Sequence, residues 1–560
     1  MKKHTKSLLF TLASVTACAL SACGKKKNKP GEIEFWSSFG SAYTSAVDNI
    51  VAIAEQKTGV KVTHLSKGNY DQILEKMIPA INVGKQPNLA IGYPDHFATY
   101  LADDSLMPID DYMTEEILND YYPEYMKENY FTAYNEKNLY ALPFNKSTEV
   151  LGYNGTFVAY CATKDESLGT IPKTWAEWEV QGPKYLAIYD DLIDNSFVLY
   201  GKQHNDGSAY DLVAKAKENN VKDDEGDIHD AAGRVGLIDF GAIHDKKENT
   251  RLISWDATDN AFITLCRQWG AEYTDLDLKK NNQGSMGVNF QKGDVLFGSS
   301  TNMPKVVDFL KFFTNLSRKR IFGVPAELNG QYSSDAFQDG SVMFMICSSG
   351  GLSYNTKTWH NDFTVAPIPY KDENHKFVIS QGANICMTDK GNYDDCFKVM
   401  RELTTGDTQA EWCLSTGYYP STKSATNSAK YQTFLHEAEP AVMQKYVNDW
   451  NAKPENASKQ MTLDDREKQV YGNPNRSAFR EGSMVNEKYY MGEGSTWHKF
   501  VDDAFNGSSG VRKAVKNALK IVFTNAKASG ADITSSKFYE DIINQYVLGS
   551  ADISNVNIVR

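Results

Sequence analysis

Ile33-Glu34-Phe35-Trp36 has the character of a β-strand, and the segments after it decide the fold. Residues 41–58 place Tyr43, Val47, Ile50, Val51 and Ala54 at helical spacing, and Gly59 stands where such a helix ends. Val60-Lys61-Val62-Thr63 alternates as a strand. Residues 71–83 read as a second helix with Ile73, Met77 and Ile81 on one face, and Pro79 is a point at which it can kink. Residues 89–93 are short and apolar, which predicts a buried strand. Strand–helix–strand–helix–strand implies an α/β fold, a mostly parallel sheet with helices on both faces. Such sheets bind ligands at the carboxyl ends of their strands, which points to the loops 36–40, 66–70 and 93–96.

Upstream, Lys2, Lys3 and Lys6 precede an apolar run over 8–20 and then Leu20-Ser21-Ala22-Cys23-Gly24. That order predicts a secretory signal peptide over 1–22 that closes on a lipobox, with Cys23 as the lipid attachment residue. The run is shorter than the roughly 20 apolar residues of a membrane span. Residues 23–32, with Lys25, Lys26, Lys27 and Lys29, read as the lipidated cysteine and a flexible tether. The tether's charge either lies against anionic lipid head groups or is simply solvated. The chain is therefore expected at the extracytoplasmic face of the cell membrane.

The mature chain is long enough for several units or for two large lobes. A net charge of −12 argues against nucleic-acid partners, which need a basic stripe. Cys161, Cys266, Cys347, Cys386, Cys396 and Cys413 form no C-x-x-C pair. Buried free thiols are the expectation, and one disulfide stays open. Abundant tyrosine is not read as a sign of sugar binding.

Residues 189–247 are acidic and weakly periodic, with Asp190, Asp191 and Asp194 and then Lys222-Asp223-Asp224-Glu225-Gly226-Asp227. The spacing fails a calcium loop, so a solvated insertion is expected. The apolar run over 342–347 leads into Ser348-Ser349-Gly350-Gly351-Leu352. A strand feeding such a turn suits an anionic or hydroxyl-rich ligand, and an ordinary tight turn explains it equally well. Residues 363–367 read as another strand. Val511, Val515, Ala518, Leu519 and Val522 make one face of an amphipathic helix that packs a lobe.

No catalytic motif stands out. His436-Glu437 is followed by Ala438-Glu439-Pro440, which breaks H-E-x-x-H, and neither a G-x-S-x-G elbow nor a P-loop is present. Carboxylate pairs for glycoside hydrolysis stay open, because their separation is spatial. No cofactor and no metal are expected.

Several short stretches together resemble the extracellular solute-binding proteins of ABC importers, in the carbohydrate and glycerol-3-phosphate branch. These are Phe35-Trp36-Ser37-Ser38, Lys67-Gly68-Asn69-Tyr70, Leu139-Tyr140-Ala141-Leu142, Pro143-Phe144-Asn145-Lys146-Ser147-Thr148, Gly169-Thr170-Ile171-Pro172-Lys173-Thr174-Trp175 and Thr416-Gly417-Tyr418-Tyr419-Pro420. The resemblance runs, with gaps, from Ile33 to about Ala526. It implies a two-lobed fold of the periplasmic-binding-protein type II class with a hinge between the lobes. One lobe is expected over 33–146 plus 378–420. The other is expected over 147–377 plus 421–560, with the acidic insertion 189–247.

The resemblance also implies a ligand set: Tyr70 from the first lobe, Ser147 at the crossover, Ser348 in the serine turn, Gly382 through its backbone N–H, and Tyr418 on the return crossover. Trp255 aligns loosely with tryptophans that line the pocket. An acidic residue after the third strand falls at Pro94 or Asp95, so Asp95 is carried over. A late arginine that pairs with phosphate falls at Arg476, with Arg480 as its competitor. The function implied is non-enzymatic capture of a small polar solute, a glycerol phosphate or a carbohydrate, for delivery to a membrane permease. The rival classes are a surface glycoside hydrolase and an adhesive lipoprotein without a small ligand.

Overall fold

A computed structural model describes residues 29–101, 104–131, 139–218, 226–277, 289–355, 363–492, 494–500, 507–554 and 556–560. Cys23 and the stretch 1–22 expected to be a signal peptide lie outside these residues.

The opening segments fold as their periodicity requires. Glu32–Ser37 pairs in parallel with Lys61–Ser66 on one side and with Leu89–Gly92 on the other. Helix Thr44–Thr58 ends on Gly59, whose φ of +73° is the left-handed conformation that glycine adopts without strain. Helix Tyr70–Asn82 starts with a capping box between Asn69 and Gln72 and runs through Pro79. Asn384–Met387 joins the sheet antiparallel to Leu89–Gly92, and Ala141–Pro143 closes the order beyond it. Alternate side chains feed opposite faces. Phe35, Leu89 and Ile91 enter one apolar core, while Trp36 and Ala90 enter another with Met77 and Phe97.

A second, mixed sheet runs in the order Phe322–Gly323, Arg251–Trp255, Val342–Ser348, Ser147–Asn154, Phe377–Gln381, His498–Phe500. Its core gathers Trp175, Trp178, Phe344, Ile346 and Leu519. The long helix Ser508–Ala526 packs there through Val511, Val515, Ala518, Leu519 and Val522, the face its spacing predicts.

The boundaries implied by the resemblance need adjusting. Val378 and Ile379 belong to the core of the second sheet, because their strand pairs with Ser147–Asn154. Tyr431, Phe434 and Leu435 belong to the core of the first, although they follow residue 420. Helix Pro474–Val485 straddles both, with Phe479 in one core and Ala478 and Val485 in the other. Of the acidic stretch 189–247, residues 219–225 lie outside the described residues, and the rest forms regular elements. It begins inside helix Trp175–Asp194, where Tyr189, Leu192 and Ile193 are buried. It continues as a three-stranded antiparallel sheet with Phe197–Gln203 between Ala209–Ala216 and Val235–Asp239. Cys161, Cys266, Cys347, Cys386, Cys396 and Cys413 are buried free thiols.

Candidate functional site

Two chain crossings join the strands of the two sheets, and a third segment presses against them. Phe144-Asn145-Lys146 links Ala141–Pro143 to Ser147–Asn154, and Gly382-Ala383 links Phe377–Gln381 to Asn384–Met387. In the segment beside them, Tyr419 donates its backbone N–H to the Lys146 carbonyl at 2.7 Å. Gly382 has φ of +101°, and a Cβ there would overlap the Asn145 carbonyl oxygen. Only glycine lets the two crossings pass so closely.

Polar side chains lock this junction from within. The buried Lys146 ammonium donates to Gly382 O at 2.9 Å and to Asn384 Oδ1 at 3.1 Å, and pairs with Glu128. Burial lowers the Lys146 pKa, and the Glu128 charge works against that shift. Lys499 reaches the same region and donates to Asn486 Oδ1 at 2.6 Å and Tyr125 Oη at 3.0 Å. Asn145 donates from Nδ2 to Tyr70 Oη at 3.3 Å and accepts from Trp412 Nε1 at 2.9 Å.

Beside the junction lies a cavity of about 400 Å³, at the small end of the range for ligand sites. Asp71, Tyr93, Pro94, Asp95, His96 and Glu128 line it from the side of the first sheet. Ser147 and Gly382 come from the crossings and Tyr418 from the segment beside them, and Ser348, Gly350, Ile379, Ser380, Gln381, Ser509 and Arg512 come from the second side. The walls converge tightly. A Cβ placed on Gly350 would lie 3.5 Å from the Tyr418 ring, 3.6 Å from Ser348 Oγ and 3.9 Å from Ser147 Cβ. Ser348 Oγ accepts from Gly350 N at 3.3 Å and so shapes the turn after its strand.

Five of the residues implied by the resemblance, Asp95, Ser147, Ser348, Gly382 and Tyr418, line this one cavity. Tyr70 stands next to it, its ring packed on Tyr93 with centroids 4.8 Å apart. Burial raises the phenol pKa values of Tyr70, Tyr93 and Tyr418, so these hydroxyls stay neutral donors and acceptors.

Two of those residues are elsewhere. Trp255 is a core residue: it is fully buried, stacks on Trp175 and donates its indole N–H to Glu149 at 2.9 Å. Arg476 is held by Glu437 through two hydrogen bonds of 2.8 and 3.0 Å. Its competitor Arg480 donates to the same carboxylate at 3.0 Å. Neither arginine lines the cavity.

The cation that does line it is Arg512, the fifth residue of helix Ser508–Ala526. Its Nε donates to Asp259 Oδ2 at 2.9 Å, and Nη2 donates to Asn260 Oδ1. Burial alone would raise the Asp259 pKa, but the Arg512 charge and hydrogen bond hold it lowered. Tyr93 and His96 fall in the loop 93–96 to which the strand ends point, whereas Arg512, Ser509, Asp71 and Gln381 escape a reading of the sequence. The one available sign for Arg512 was Ser508-Ser509-Gly510 opening the late amphipathic helix, with an arginine two residues on.

A family model described as bacterial extracellular solute-binding protein matches residues 49–443. The sn-glycerol-3-phosphate-binding periplasmic protein UgpB of Shigella dysenteriae is 24% identical over 442 residues, covering 77% of this chain and 83% of the relative. UgpB of Escherichia coli K12 matches with the same identity and coverage. Among solved structures, UgpB from Mycobacterium tuberculosis in complex with glycerophosphocholine superposes with a TM-score of 0.56 at 14% identity, over 93% of this chain and 98% of that one. The substrate-binding protein Lmo0181 from Listeria monocytogenes in complex with cycloalternan gives 0.52 at 14% identity, over 92% and 98%. These likenesses show the two-lobed fold.

Proposed function

We propose that this chain, which belongs to the bacterial extracellular solute-binding proteins, captures a small polar solute between its lobes and delivers it to a membrane ABC permease. The observation that carries this is the meeting of Ser147, Ser348, Gly382 and Tyr418 around one cavity at the crossings of the two lobes. Motion about those crossings opens and closes the cavity without altering the solute.

The solute class is a glycerol phosphate or a related phosphodiester. Arg512, the N-terminal turn of its helix at Ser509, and the Ser348 turn together offer a cation and hydrogen-bond donors to an anionic group. Tyr70, Tyr418 and Ser147 meet the hydroxyls. The UgpB relatives are named for glycerol 3-phosphate, which supports this class. A carbohydrate is the second reading, favoured by Asp71 and Asp95, which are acceptors suited to sugar hydroxyls. The chain is held outside the membrane by a lipid on Cys23, as the lipobox Leu20-Ser21-Ala22-Cys23 suggests.

Calorimetric titration of the soluble mature chain with sn-glycerol 3-phosphate, glycerophosphocholine and maltose tests the class. Saturable binding of a phosphate compound that weakens about 10-fold or more in Arg512→Gln supports it. Binding of maltose alone, unchanged in Arg512→Gln, replaces it with the carbohydrate reading.

A further inference from the structure

We propose that Glu149 is a positioning residue for solute capture: acting through Asn260, it fixes the Arg512 guanidinium at the wall of the cavity. The role rests on the reading that Arg512 meets the solute.

Glu149 lies two residues after Ser147 on the same strand, so the two side chains share one face of the sheet. Ser147 lines the cavity, and Glu149 is set behind it at 1% exposure. Its Oε1 accepts from Trp255 Nε1 at 2.9 Å and from Asn260 Nδ2 at 3.2 Å. Asn260 then turns its Oδ1 to Arg512, which donates to it from Nη2. Asp259, the preceding residue on helix Thr258–Gln268, takes Nε of the same guanidinium at 2.9 Å.

The orientation of the Asn260 amide is therefore determined. An amide has a donor end and an acceptor end. The donor end is consumed by Glu149, so the acceptor end must face the cation. Without the Glu149 oxygen the amide is free to turn over and present N–H to a guanidinium, which repels it. Arg512 would then lose the acceptor that meets Nη2, while Asp259 still takes Nε, and the planar fork is less closely fixed. Trp255 fits the same chain: its indole N–H supplies the second donor that keeps the Glu149 carboxyl in place.

The test is binding of sn-glycerol 3-phosphate to the mature chain, read by calorimetry together with a double-mutant cycle. Glu149→Gln keeps an acceptor oxygen in the same place and is expected to bind within about threefold of wild type. Glu149→Leu removes it and is expected to weaken binding about 10-fold. In an Arg512→Gln background the same change is expected to cost little, because its effect runs through the guanidinium. A purely structural role would not produce that loss of additivity. If Glu149→Leu fails to fold, Asn260→Leu in the same two backgrounds reads the same coupling. Full affinity in folded Glu149→Leu, or losses that add in the double variant, overturns the positioning role. An Arg512→Gln protein that binds like wild type instead removes the reading of Arg512 itself.

Discussion

Gly382 passes the carbonyl oxygen of Asn145 so closely that a Cβ on it would lie 1.6 Å from that oxygen. The contact joins the crossings 144–146 and 382–383 between lobes, and Lys146 closes it from inside by donating to Gly382 O. The junction is thus built from backbone proximity as much as from side-chain bonds. Gly382→Ala should lower stability by about 3 kcal/mol, since both the φ of +101° and the overlap oppose a side chain. Urea unfolding read by fluorescence measures it. An unchanged midpoint would mean the crossings have room that this geometry denies.

Arg476 and Arg512 should separate cleanly in binding. Arg476 is committed to Glu437, away from the cavity, so Arg476→Ala should change solute affinity less than about twofold. Arg512→Ala should lose about 10- to 100-fold for an anionic solute, the effect of one charge-assisted hydrogen bond removed. Titration of both variants with sn-glycerol 3-phosphate decides the matter. Equal losses would return the late arginine to the site.

Glu149 makes stability depend on pH. Burial raises its pKa to about 8, against hydrogen bonds from Trp255 and Asn260 that lower it. An unfolded glutamate titrates near about 4.3. Between those values the folded state holds a proton that the unfolded state has released, so stability falls as pH rises through that window. Glu487, raised to about 7 by burial, has the same sign. Glu149→Gln should therefore lose about 2–4 °C less in Tm than wild type on going from about pH 5 to about pH 9. Parallel curves for the two proteins would show that Glu149 is ionised in the folded state.

The anchor is testable in cells. Cys23→Ser removes the thiol that the lipobox presents, and the protein should move from the membrane fraction to the soluble extracytoplasmic fraction. Retention in the membrane fraction would assign the attachment to something other than a lipid on Cys23.

Much of the first sheet was legible because each segment carries its own period: Val47, Ile50, Val51 and Ala54 at helical spacing, Gly59 at the end, Phe35 between turns. Ser147, Ser348, Gly382 and Tyr418 were reached only through the resemblance, since each by itself is an ordinary small or polar residue in the sequence. Arg512 was not, since a single arginine in an amphipathic helix looks like any solvated residue. Only the packing of Val511 and Val515 on the second core brings this end of the helix to the cavity. Trp255 was misread for the converse reason. A tryptophan at a strand end gives no sign of direction, and here the indole N–H is satisfied by Glu149 inside the lobe. The stretch 189–247 misled through composition, because Asp191 and Asp194 face outward on the helix end that buries Tyr189, Leu192 and Ile193, and Val198 and Leu199 are buried on the strand that follows.

The most direct measurement is calorimetry of the mature chain, wild type beside Tyr418→Ala and Ser348→Ala, against phosphorylated polyols and small sugars. Capture in the interlobe cavity requires one saturable site for a member of these classes, weakened several-fold or more in both variants. Binding left intact by both substitutions, or no heat with any solute from a folded protein, would contradict it.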